Sequence, residues 1–152
     1  MIKLSRMADY GVILMSQLAR EPDVLRTAPE LAQISGLPAP TVSKILKLLV
    51  QGDLLVSHRG TKGGYLLARD AEDITMADLI GAIDGPIALT DCMGPDGLVC
   101  EIEALCPTRT NWQRINEAMI SALSGVTLAE MAVPAIDFIN RTPAEHRPAL
   151  AE

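Results

Sequence analysis

In LSRMADYGVILMSQLA, near the start of the chain, Met7, Gly11, Leu14, Met15 and Leu18 fall on one side of a 3.6-residue repeat. The spacing predicts a helix from about Ser5 to Arg20, with Pro22 as its stop. TAPELAQISGLP then carries the marks of a short capped helix. The Thr27 hydroxyl can satisfy a first-turn amide, Pro29 fits where an N–H is not needed, and Glu30 stands where a capping box requires it. Gly36 closes this helix and Pro38 prevents its continuation. A second helix starts almost at once in PAPTVSKILKLLVQGD. Val42, Ile45, Leu46 and Leu49 face inward, Thr41, Ser43, Lys44 and Lys47 face outward, and Gly52 ends it. Two short helices joined by Ser-Gly-Leu-Pro, the second apolar inside and basic outside, read as a helix-turn-helix.

LLVSHRGTKGGYLLAR sets short apolar runs on either side of a glycine-rich centre, the pattern of a β-hairpin with a basic tip. A hairpin directly after such a helix is the wing of a winged helix. Thr75 opens a further helix, TMADLIGAI, ended by Asp84-Gly85-Pro86. A loop follows, and then a longer helix from about Thr108 to Leu123, in which Trp112, Ile115, Met119 and Ala122 form one stripe. Ser124-Gly125 stops it and TLAEM adds a last turn or two. The expected architecture is mainly α with a small β-hairpin wing: a winged helix-turn-helix over 1–74, and a loop with dimerisation helices over 75–132. A proline- and charge-rich tail over 133–152 is expected to fray.

Composition narrows the class. Apolar residues make up 49% of the chain and aromatics only 3%, so aliphatic side chains and methionine must build the core. The longest stretch without a charge, Leu31–Ser43, contains Gln, Ser, Gly and Pro, whereas a membrane helix needs about 20 mostly apolar residues. The opening residues lack a small-residue cleavage site, so no signal peptide and a cytoplasmic location are expected. The net charge of −6 argues at first against nucleic acid. It hides an asymmetry: nine basic against six acidic residues over 1–70, a net of +3, and four against thirteen over 71–152, a net of −9. A polyanion is attracted to the first region and repelled by the rest.

The basic helix suits the major groove of duplex DNA, with Pro40, Thr41, Ser43 and Lys44 at the end that reaches base edges and Lys44 and Lys47 placed for phosphates. Two lysines alone are an ordinary solvated face. Arg59 and Lys62 on a glycine-rich tip change that balance, because they have no use in a core and suit a minor groove or phosphates. The Gly60–Gly64 stretch lacks the spacing of a phosphate-binding P-loop, and no acid–base pair or nucleophile–base set marks an enzyme.

All three cysteines, Cys92, Cys100 and Cys106, lie in DCMGPDGLVCEIEALCP. Structural zinc modules use tighter pairs, and wider spacing in a loop suits a larger object such as an iron–sulfur cluster. Three buried or free cysteines are the plain alternative, though Met-Gly-Pro-Asp-Gly between two of them is no core segment. Three thiols leave a fourth position to fill. Arg109, three residues past Cys106, stays protonated and is no ligand. His58 lies in the wing and His146 in the tail. Asp9 sits among the first helix's apolar residues, and periodicity by itself lets it point outward or pair with Arg6.

Taken together, KLSRMADYGV, TAPELAQISGLPAPTVSKILKLL, SHRGTKGGYLLAR, the cysteine loop and NWQRINEAMISAL resemble one family across nearly the whole chain. These are the winged-helix iron–sulfur regulators that include IscR, NsrR and RirA. NWQRIN and VTLAEM look most like the branch regulating SUF iron–sulfur assembly genes, and the cysteine spacing also looks like RirA. The resemblance implies a homodimer on a palindromic double-stranded DNA operator, with Cys92, Cys100 and Cys106 holding the cluster. Members with a Cys-x-x-His ending use that histidine as fourth ligand of a 2Fe–2S cluster, and Arg109 stands there instead. NsrR-like members use an aspartate of the first helix, reached from the partner subunit, to complete a 4Fe–4S cluster. Asp9 matches that position, with a small thiol, water or no protein ligand as fallback. The expected cofactor is therefore 4Fe–4S, with 2Fe–2S as alternative, and the expected role is repression of SUF or iron-responsive genes. A zinc or thiol-redox regulator on the same fold, and an iron–sulfur carrier without DNA, are the rival readings.

Overall fold

The computed structural model describes residues 3–60, 62–94 and 106–133. In chain order it contains α1 (Arg6–Arg20), α2 (Ala28–Ser35), α3 (Ala39–Gln51), β1 (Leu55–His58), β2 (Gly64–Leu67), α4 (Met76–Asp84), α5 (Arg109–Ser124) and α6 (Leu128–Ala132). Short 3-10 turns occupy Ala71–Asp73 and Asp91–Met93. The chain is mainly α with one antiparallel hairpin, as the periodicity predicts.

Local signals set the helix ends. The Ser5 hydroxyl accepts the Ala8 N–H and donates to Asp84 at 2.7 Å, so the cap of α1 is also tied to the end of α4. Thr27 and Glu30 close the capping box of α2, and Gly36 ends that helix at φ +70°, a left-handed conformation that costs glycine nothing. Pro38 starts α3 without a side-chain cap. Val42, Ile45, Leu46 and Leu49 of α3 are fully buried beside Leu14, Met15 and Leu18 of α1. Met76, Leu79 and Leu128 share this core, so α4 and α6 pack on the helix-turn-helix itself.

β1 and β2 pair in the register Leu55↔Leu67 to His58↔Gly64. Arg26 adds a further bridge: its N–H reaches the Tyr65 carbonyl at 3.3 Å, and the Tyr65 N–H reaches the Arg26 carbonyl at 2.8 Å. The segment before α2 thereby fixes the angle of the wing. A second bridge, Thr75↔Thr127, joins the start of α4 to the start of α6. Leu128 donates to the Ile74 carbonyl at 2.7 Å, and Met76 to the Val126 carbonyl at 3.0 Å. The chain leaving α5 is thus stitched back to the winged helix.

A Cβ on Gly64 would lie 2.9 Å from the Arg26 carbonyl oxygen and 3.0 Å from its carbon, atoms held by that backbone pairing. Gly64→Ala should lower unfolding stability by about 1–3 kcal/mol, the range of overpacked sites. Gly81→Ala, in α4 with nothing within 4 Å, should be neutral or gain up to about 1 kcal/mol from helix propensity. Urea unfolding followed by circular dichroism measures both.

Candidate functional site

On α3, Pro40, Ser43, Lys44 and Lys47 are exposed and Thr41 is half-buried. All five lie off the side that buries Val42, Ile45 and Leu49, so one helix face is left to solvent. Arg59 and Lys62 are exposed between the two strands, next to the exposed His58 at the end of β1. Thr61 lies outside the described residues. Among the described residues, Arg69 pairs with Asp78 at 3.1 Å and Arg26 with Glu21, while Lys44, Lys47, Arg59 and Lys62 form no ion pair. The charge at the tip and along α3 is thus not consumed by ion pairs among the described residues.

The thiols sit at the other end of the fold's logic, between α4 and α5. Cys92 is half-buried in the turn Asp91–Met93, with the Thr90 hydroxyl 3.2 Å from its sulfur. Cys106 is half-buried just before α5, and the Thr108 hydroxyl lies 3.5 Å from its sulfur. Both are unpaired thiols. Hydrogen bonds from the Thr108 side chain and backbone N–H hold the Cys106 thiol below its ordinary range, with the Arg109 N–H and guanidinium adding to the effect. Cys100, between them, lies outside the described residues, as does 134–152 with His146.

Cys92, Met93, Arg109, Gln113, Asn116 and Glu117 line a mainly polar cleft of about 330 Å³. Asp9 is exposed on α1 and makes no ion pair among the described residues. Among those residues, no three His, Cys, Asp or Glu side chains come together to hold a metal, so Asp9 does not join Cys92 and Cys106 within one chain. The donor chemistry nonetheless suits iron: two free thiols, one biased toward thiolate, stand on either side in sequence of the third.

The helix after Cys106 runs Arg109–Ser124, within a residue of its predicted ends. Trp112 and Ile115 are 43% and 49% exposed, Ala122 is exposed too, and Met119 is half-buried, so most of the stripe is open among the described residues. The reading of the sequence passed over Asn116, which is buried on α5 and bonded to the backbone of Ile87 and Leu89. It stands four residues after Trp112 and three before Met119, and a polar residue at that spacing was the available signal.

The family model Rrf2, described as an iron-dependent transcriptional regulator, matches residues 4–134. The chain belongs to the Rrf2 family. It is similar to IscR of Yersinia pestis, an HTH-type transcriptional regulator, with 30% identity over 86% of this chain and 79% of that one. Among solved structures, CymR, the global cysteine regulator of B. subtilis, aligns with a TM-score of 0.69 and 28% identity, covering 87% of this chain and 97% of that one. The IscR of T. potens aligns with a TM-score of 0.63 and 27% identity, covering 86% and 85%. The Rrf2 chain is therefore a winged-helix, DNA-binding transcriptional regulator, and its family is one of regulators rather than enzymes. No described helix is long and apolar enough to cross a membrane.

Removing the Thr108 hydroxyl takes away the largest contribution to the lowered Cys106 pKa. Thr108→Val should raise that pKa, shrink the thiolate fraction at neutral pH and slow alkylation of Cys106 by iodoacetamide. Peptide mass spectrometry of the reduced, metal-free protein at pH 7 reads this out, with Cys92 as the internal reference whose rate should not change.

Proposed function

We propose that this Rrf2 protein is a homodimeric, iron–sulfur-sensing repressor of iron–sulfur assembly (SUF) or iron-responsive genes. The observation that carries the reading is the pair of free thiols, Cys92 before and Cys106 at the start of a helix whose apolar stripe is largely exposed. The iron-dependent description of the family and the likeness to IscR support it. In this reading residues 1–74 form the reading head and 75–132 the sensor and dimer element. Cys92, Cys100 and Cys106 hold the cluster, and Asp9 of the partner subunit completes a 4Fe–4S centre, with 2Fe–2S the alternative. When bound, the cluster supplies a crosslink that iron scarcity or oxidation removes.

The rest is done by the chain's own residues. Trp112, Ile115 and Ala122 pair two copies of α5, which sets the separation of two copies of α3. Thr41 and Ser43, beside Pro40, face base edges of a palindromic operator, Lys44 and Lys47 meet phosphates, and Arg59 and Lys62 on the wing follow the adjacent groove. The likeness to CymR, together with the lowered Cys106 pKa, favours one second reading, a thiol-redox switch on the same fold. Preparation without oxygen separates the two. Iron and sulfide in a brown protein whose operator occupancy responds to chelators support the cluster; a colourless protein that responds only to thiol oxidants supports the switch.

Lys44→Ala and Arg59→Ala should each weaken operator binding and reduce the slope of log affinity against log salt by about 1, as expected for one lost phosphate contact. Electrophoretic shift titrations at several salt concentrations measure the slope. Unchanged affinity in both variants removes the assignment of α3 and the wing as the DNA surface.

Asp9→Ala should retain operator affinity in the metal-free state and shorten the lifetime of the cluster in air. Decay of visible absorbance after oxygen exposure tests this, and a lifetime and spectrum equal to the parent's remove Asp9 from the ligand set.

A further inference from the structure

Asn116 is 8% exposed, and both ends of its amide are used. Its Oδ1 accepts the Leu89 N–H at 3.0 Å and its Nδ2 donates to the Ile87 carbonyl at 3.2 Å. These are the C=O and N–H on either side of residue 88, the pair that a neighbouring parallel strand would engage. The side chain therefore recognises backbone and would hold the segment whatever side chains it carried. A leucine of similar size would fill the same space without burying an amide, so what asparagine adds here is the directional bonding. Next to Leu89, the Thr90 hydroxyl lies 3.2 Å from the Cys92 sulfur. An unbroken path thus runs from a thiol to α5.

We propose that Asn116 is the positioning residue that fastens the Cys92 segment to α5, so that the state of the thiol loop reaches the dimer helix through it. This rests on the regulator proposed above. With the amide in place, residues 87–89 move with α5; without it, Cys92 and α5 respond separately.

The test uses the full chain with Asn116→Leu. In the reduced, metal-free protein, hydrogen exchange at the Leu89 amide and labelling of Cys92 by N-ethylmaleimide should each rise about tenfold, the equivalent of roughly one net hydrogen bond, while Cys106 labelling stays at the parent's rate. In the reconstituted protein the visible spectrum should match the parent's. The ratio of affinities of the cluster-loaded and cluster-free forms, for a duplex selected from random sequence by the parent, should fall toward one. A purely structural role lowers both affinities together and keeps the ratio, and that result overturns the proposal, as do unchanged exchange and labelling rates. Asn116→Ala, which leaves room for water at both backbone groups, gives the same comparison should the leucine variant not fold. If the parent itself carries no iron, the cluster reading falls, and the exchange and labelling rates alone decide whether Asn116 holds the segment.

Discussion

Extended segments that run between packed helices must find partners for their backbone N–H and C=O groups, since burying one unpaired costs on the order of 1–3 kcal/mol. Among the described residues that requirement is met between Arg26 and Tyr65 and at two places that border α5. After the helix, residues 126–128 pair with 74–76, drawing Leu128 and Ile74 into full burial. Before it in the chain, residues 87–89 have no strand beside them among the described residues and take the Asn116 amide instead. α5 is thus joined to the winged helix by backbone pairing on one side and by a side chain imitating it on the other.

What the sequence made legible was local. Thr27 with Glu30, Gly36 and Pro38 announced the ends of α2 and the start of α3, because caps and stops act within a few residues. The short apolar runs on either side of Gly60–Gly64 announced the wing for the same reason. The joints were not legible. Arg26 with Tyr65, and Thr75 with Thr127, meet through main-chain atoms common to every residue, so no pattern of side chains marks them. Thr75 and Thr127 each carry a capping box, which reveals a helix start but not that the two starts lie side by side. At the candidate site, residue type identified the thiols and the basic face. That Cys92 lies in a 3-10 turn after α4 and Cys106 just before α5 is a property of the fold, and the place of Cys100 lies outside the described residues.

The electrostatic asymmetry also takes on a sharper form in three dimensions. Arg69 belongs to the basic stretch of the sequence, yet it is turned to Asp78 of α4, whose carboxylate also caps that helix. Both groups are close to half exposed, where such a pair contributes at most about 1 kcal/mol. Its effect is one of placement: the arginine closest to the acidic half is held there, while Lys44 and Lys47 of α3 and Arg59 and Lys62 of the wing tip stay exposed. A net charge of −6 is then compatible with a nucleic-acid surface, because a duplex meets the local field within about 10 Å and screening by salt hides the remainder.

The strength of the Asn116 joint bears on what kind of switch the fold can support. Two buried hydrogen bonds contribute on the order of 1–3 kcal/mol net. A ligand that changes operator occupancy from mostly free to mostly bound needs a bias of a few kcal/mol between two states. The two quantities are of the same size. A joint much weaker than this would let the Cys92 segment change without consequence for α5, and a covalent one would keep it fastened in every state. A side-chain amide on backbone groups falls between. It is directional enough to impose one arrangement, and it is weak enough that altering the loop beside it can release that arrangement. On that ground the buried asparagine is better suited to the position than the leucine that the stripe's periodicity would otherwise place there.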